Sequence, residues 1–136
     1  MVKLKSSLLL FMAFIVTSSV EFHGSSAIDY HVGDSVGWTT PQDPNFYTRW
    51  SQSHSFIRFN YLVFNFTYWI HDVAEVTSAA YASCDGHDPI SIQDRSPARF
   101  NITYSENYYI STKRDDCKAG MKLMVKISGA NNFVSV

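Results

Sequence analysis

His71, Ser111 and Asp116 are the residue types of a hydrolytic triad. In such a triad a serine oxygen attacks, a histidine carries the proton and an aspartate orients the ring. The chemistry needs the carboxylate and the hydroxyl on opposite nitrogens of the imidazole, with an oxyanion hole beside the serine. His71 with Asp116 is also a weak divalent-metal pair. His31, His54 and His87 have no ligand spacing to anything else and read as surface or loop residues. Cys84 and Cys117 are either one intramolecular bridge or two free thiols.

Two further features concern surfaces rather than catalysis. Asn65-Phe-Thr67 and Asn101-Ile-Thr103 are acceptor sequons for N-glycosylation. Strand alternation turns both asparagines toward the solvent face. Trp69 stands two residues before His71, at the rim of a loop, where an exposed aromatic can meet a partner or a sugar face. Trp38, Trp50 and Tyr108-Tyr109 read as core instead.

The elements that would position these residues are mostly strands. Tyr30 to Trp38 is a strand running into a glycine turn, and Phe46 to Trp50 is a short helical or turn segment. Phe56 to Tyr68 carries the longest β signal, with Leu62, Phe64 and Phe66 on one face and Val63, Asn65 and Thr67 on the other. Thr77 to Cys84 is a single helical turn capped by Thr77 or Ser78. Arg99 to Tyr104 alternates, with Phe100, Ile102 and Tyr104 on one face. Met121 to Ile127 puts Leu123, Val125 and Ile127 inward and Lys122 and Lys126 in water. Short strands at close spacing with little helix predict an antiparallel β-sandwich.

The chain has 136 residues, enough for one domain, with ten Phe, eight Tyr and three Trp. Residues 1–27 read as a secretory leader: Lys3 and Lys5 start it, Leu8 to Val16 is its apolar run, and Ser25-Ser26-Ala27 is its cleavage site. That run is too short for a transmembrane helix, which needs about 20 apolar residues. The domain then spans residues 28–128, with a short tail over 129–136. A net charge of −1 with no clustered basic face argues against a nucleic-acid surface. Export favours the Cys84–Cys117 bridge over free thiols. Closing a loop of about 34 residues would stabilise the fold by about 3–4 kcal/mol.

Several motifs together resemble the phytocyanins, the plant branch of the cupredoxins. They are Val32-Gly-Asp before Gly37-Trp38, Tyr47-x-x-Trp50, His71-Asp-Val73, Tyr81-x-x-Cys84 and the run from Cys117 through Gly120-Met-Lys-Leu123. Phe59-Asn60 stands where most relatives have a Gly-Asp turn. The resemblance implies an all-β, cupredoxin-like Greek-key sandwich of two sheets with one or two short helical turns. It implies that His71 corresponds to the first copper ligand, Ser111 to the thiolate cysteine, Asp116 to the second histidine and Met121 to the axial ligand. Cys117 corresponds to the disulfide cysteine.

A blue-copper centre takes two histidines and one thiolate in plane, with a weak axial methionine or glutamine. Ser111 has a hydroxyl that stays protonated at neutral pH, and Asp116 offers a hard carboxylate. The resemblance therefore implies degenerate copper-site positions, no cofactor and no metal. It also implies that groups once aimed at one metal address one ring nitrogen, which argues against a triad and against an enzyme. Asp116 is then expected to bond His71 and fill the space of the metal. Loss of the cysteine and second histidine is typical of the early nodulin-like group. That similarity implies a secreted, monomeric binding module of the cell wall or outer face of the plasma membrane, with carbohydrate or an extracellular glycoprotein as partner. Its roles would lie in carbohydrate transport or signalling. Blue-copper electron transfer is the alternative.

Overall fold

The computed structural model describes residues 26–129. The expected leader and tail lie outside the described residues, apart from Ser26, Ala27 and Gly129. Among the described residues, seven strands form two sheets. They are β1 (Asp29–His31), β2 (Tyr61–Phe64), β3 (Val73–Val76), β4 (Ser91–Gln93), β5 (Ala98–Asn101), β6 (Glu106–Ile110) and β7 (Lys122–Lys126). One sheet has the order β1-β2-β5 and the other β4-β3-β6-β7. All pairings are antiparallel except β1 with β2, where Asp29 faces Tyr61 in parallel register. The expected two-sheet sandwich is what the sequence forms.

The two inner faces close on an aromatic core. Phe64 meets Trp38, Phe100 and Tyr109 at centroid distances of 5.0, 5.7 and 5.4 Å. Such offset and edge-on contacts add about 0.5–1.5 kcal/mol each beyond the area they bury. Helix α1 (Phe46–Gln52) turns Tyr47 and Trp50 into this core, three residues apart on one face. The Tyr47 hydroxyl donates to Gly37 O at 2.7 Å and accepts from Thr39 N at 2.8 Å. Burial pushes its pKa up to about 12. Gly37 adopts φ 74°, and a side chain there would meet Asn65 O at 2.8 Å. Only glycine lets Trp38 N reach that same carbonyl, at 2.8 Å.

A second, smaller cluster lies on the outer face of the four-stranded sheet. Ala74, Val76, Ile110 and Cys117 are covered there by Tyr81 and Cys84 of the segment containing helix α2 (Ser78–Ser83). As expected, Thr77 caps that helix, its hydroxyl accepting from Ala80 N at 3.2 Å. Cys84 and Cys117 are joined in a disulfide that closes a sequence separation of 33 residues.

Three local readings differ from the sequence expectation. The long β signal over 56–68 yields only the four residues of β2. Phe56 makes an isolated bridge to Ile127, and Phe59 takes φ 68°, which breaks the extended run. Val63, expected outward, is buried. Tyr104, expected inward, is 55% exposed. Asn107 dictates that turn: its Oδ1 accepts from Tyr104 N at 3.1 Å and its Nδ2 donates to Tyr104 O at 2.7 Å.

Glu75 is the anomaly of the sandwich. It is 9% exposed and sits beside Tyr109 in cross-strand register, with Oε1 buried and unbonded. Burial raises its pKa above 4.5. A carboxyl with a raised folded pKa gives its full share of stability below the unfolded value, and that share is lost as pH rises through the folded value. Glu75→Gln removes this dependence. Urea unfolding midpoints of the variant should match the wild type near pH 4 and exceed it at pH 7.

Candidate functional site

Four segments converge at one end of the sandwich. His71 lies in the loop between β2 and β3, held by its N–H to Thr67 O at 3.3 Å. Ser111 follows β6 directly, and its N–H donates to Met121 O at 3.1 Å. Asp116 sits in the tight turns between Ser111 and β7, and its carbonyl accepts from Met121 N at 2.9 Å. Gly120, at φ 109°, passes close against Pro44, where a Cβ would come within 2.7 Å of backbone. Thr40, from the turn after Trp38, completes the set.

The Asp116 carboxylate is the hub. Its Oδ2 accepts from Ser111 Oγ at 2.7 Å and pairs with His71 Nδ1 at 2.8 Å. Its Oδ1 accepts from Thr40 Oγ1 at 3.1 Å. His71, Ser111 and Asp116 are all buried, so these bonds replace water rather than compete with it. The expected bond between Asp116 and His71 is present. Thr40 was not legible in the sequence: it stands 76 residues from Asp116 and belongs to no spacing pattern.

Asp72 forms a second buried acid behind the first. It accepts from Thr112 N at 2.6 Å, Thr112 Oγ1 at 2.5 Å and Ser111 Oγ at 3.4 Å. Its carbonyl accepts from Trp38 Nε1 at 2.9 Å. Asp72 thus ties the His71 loop to both the core and the Ser111 segment. Sequence reasoning passed it over, although its place next to His71 in the His-Asp-Val run was the available signal.

The geometry of these three residues is not that of a Ser-His-Asp triad. A triad places the histidine between hydroxyl and carboxylate. Here the carboxylate stands between the hydroxyl and the histidine, and Ser111 and His71 share one oxygen of it. The donor set is not that of a blue-copper centre either. A hydroxyl stands for the thiolate and a carboxylate occupies the histidine's side. Both cysteines of the described residues are in the disulfide. Among those residues no group of three or more His, Cys, Asp or Glu is placed to hold a metal ion. Met121 is fully buried in the main core.

Beside this hub the surface is apolar. Trp69 is 80% exposed and Ile70 57%. Tyr68 packs against Trp69 at 4.5 Å and carries the Arg95 guanidinium 5.6 Å over its ring. Trp69 adopts φ 71°, an uncommon conformation for a bulky residue. Of the sequon asparagines, Asn65 is exposed just after β2. Asn101, expected to face solvent, is half-buried, with its Oδ1 sealed and unbonded.

A family model described as a plastocyanin-like domain matches residues 38–121. The chain is 36% identical to a blue copper protein of Arabidopsis thaliana over 88% of its own length and 60% of that protein's. It is 32% identical to early nodulin-like protein 2 of the same plant, over 91% of this chain and 36% of that one. It therefore spans less than two thirds of the length of these two relatives. Cucumber stellacyanin, solved with Cu2+, superposes with a TM-score of 0.70 at 29% identity, covering 79% of this chain and 100% of that one. The chain belongs to the phytocyanins, the plastocyanin-like cupredoxins of plants, and has their sandwich.

Removing the hub should be costly in proportion to the partners it strands. Asp116→Ala should lower the urea unfolding free energy by about 3 kcal/mol, the scale for breaking a buried pair. Asp116→Asn keeps one acceptor oxygen and should lose about 1 kcal/mol. No loss in either variant would mean that the carboxylate joins nothing.

Proposed function

We propose that this phytocyanin is an extracellular, copper-free binding module of the early nodulin-like type. Its partner is a carbohydrate or a cell-wall glycoprotein, met on the face beside His71. The observation that carries the reading is Trp69, held outward at positive φ on a loop anchored by buried bonds. Exposing an indole and holding a strained backbone both oppose folding, and such strain clusters where a surface does work. A flat ring on a rigid mount suits the apolar face of a sugar.

The buried hub supports the copper-free part. Asp116 occupies His71 Nδ1 and Ser111 together, which leaves a metal no thiolate and only one imidazole. The reading includes no catalytic role, a monomeric state and export by the leader over residues 1–27. It includes sugar attachment at Asn65 and Asn101, and residence in the cell wall or at the outer face of the plasma membrane. Among the described residues no helix is long and apolar enough to cross a membrane.

Two measurements test it. Titrating the purified domain with Cu(II) should give no intense blue absorption, whereas Ser111→Cys with Asp116→His should give it, because His71 and Met121 remain to complete the set. A strong blue band in the unmodified protein would restore electron transfer as the reading. On a glycan array the domain should bind a subset of plant-wall sugars, and Trp69→Ala should weaken that binding by about tenfold or more. The same variant should change stability by less than about 0.5 kcal/mol. Undiminished binding by Trp69→Ala would remove the proposed contact.

A further inference from the structure

The opposite end of the sandwich holds a pocket that the reading above does not use. Strand β3 leaves the His71 loop at Val73 and reaches Glu75 and Val76 at the far end. There the pocket is walled by Val76, Ile90, Tyr104 and Tyr108, with Glu75 and Glu106 as its two acids. Its volume is about 270 Å³, room for a small organic molecule. The Ile90 N–H donates to Glu75 O at 2.8 Å, which fastens the segment before β4 to β3.

The two acids are not equivalent. Glu106 is occupied: Tyr108 OH donates to its Oε2 at 2.5 Å, and Lys126 Nζ stands 3.9 Å from its Oε1. Glu75 has no such company. It is nine-tenths buried, lines the pocket, and its Oε1 has no hydrogen-bond partner. Its cross-strand neighbour Tyr109 also has a buried, unbonded hydroxyl, so the strand pairing does not satisfy it. A sheltered carboxylate without a partner is costly, and a cation that supplies the missing charge and donors would remove that cost.

We propose that this pocket binds a small organic ammonium ion, with its charged nitrogen on Glu75 and its apolar part between Ile90 and the rings of Tyr104 and Tyr108. A metal ion suits it less well. Metals of the hard class want six or more oxygen ligands, and only two carboxylates are present here. Aromatic and aliphatic walls favour instead a cation that carries hydrocarbon.

The probe is 2-phenylethylammonium, titrated into the domain and followed by backbone amide NMR. Saturable shifts are expected at Glu75, Ile90, Tyr104 and Tyr108. Glu75→Gln should weaken binding by about tenfold or more, because a charge-assisted bond becomes a neutral one. The neutral 2-phenylethanol, tested on the wild type, should bind about tenfold or more below the ammonium, and this arm needs no variant to fold. Glu106→Gln should weaken binding less than Glu75→Gln does. Absence of saturable shifts at these amides would overturn the proposal, as would equal binding of the alcohol and the ammonium.

Discussion

The site end of this protein depends on one buried carboxylate that must not be left alone. A charge taken out of water costs several kcal/mol unless paired and hydrogen-bonded. Asp116 meets that condition by drawing a donor from each of three other segments, Thr40, His71 and Ser111. His71 precedes β3 and Ser111 follows β6, and the pairing of β3 with β6 and of β6 with β7 brings their segments close. Polar satisfaction then fixes how the side chains meet, and it draws in Thr40 from outside the sheet.

On the copper-free reading, that division of labour lets the sandwich keep its shape without a metal, because the loops after β2 and β6 would otherwise leave His71 and Ser111 without their shared partner. Here Asp116 takes up His71 and Ser111 together, and Asp72 holds Thr112 and the Trp38 indole from the other side. The Cys84–Cys117 link then ties the Asp116 turn to the end of helix α2.

The sandwich, the short helices, the cystine and the bond between Asp116 and His71 were legible in the sequence. Each is carried by a local pattern: alternation in Met121 to Ile127, a cap at Thr77, a pair of cysteines, a motif spacing. What was not legible depends on neighbours distant in sequence. Val63 alternates outward on paper yet is buried. Tyr104 alternates inward yet is exposed, because Asn107 turns the chain after β5. The strand over 56–68 was overread because apolar periodicity does not register Phe59 at positive φ. Thr40 has no signal at all, since its only role is to bond a side chain 76 residues away.

Three buried acids in one small domain separate what has been closed from what stays open. Asp72 is satisfied by a backbone amide and a hydroxyl on the adjacent segment, so it is structural. Asp116 is satisfied by three side chains from three other segments, so it is closed as well. Glu75 has a buried oxygen with no partner among the described residues. A fold of marginal stability does not carry such a group without cost, and Glu75 is among the residues that line a pocket. Satisfaction, rather than acidity or burial alone, distinguishes the end of the sandwich that has been sealed from the end that is still able to take a charge.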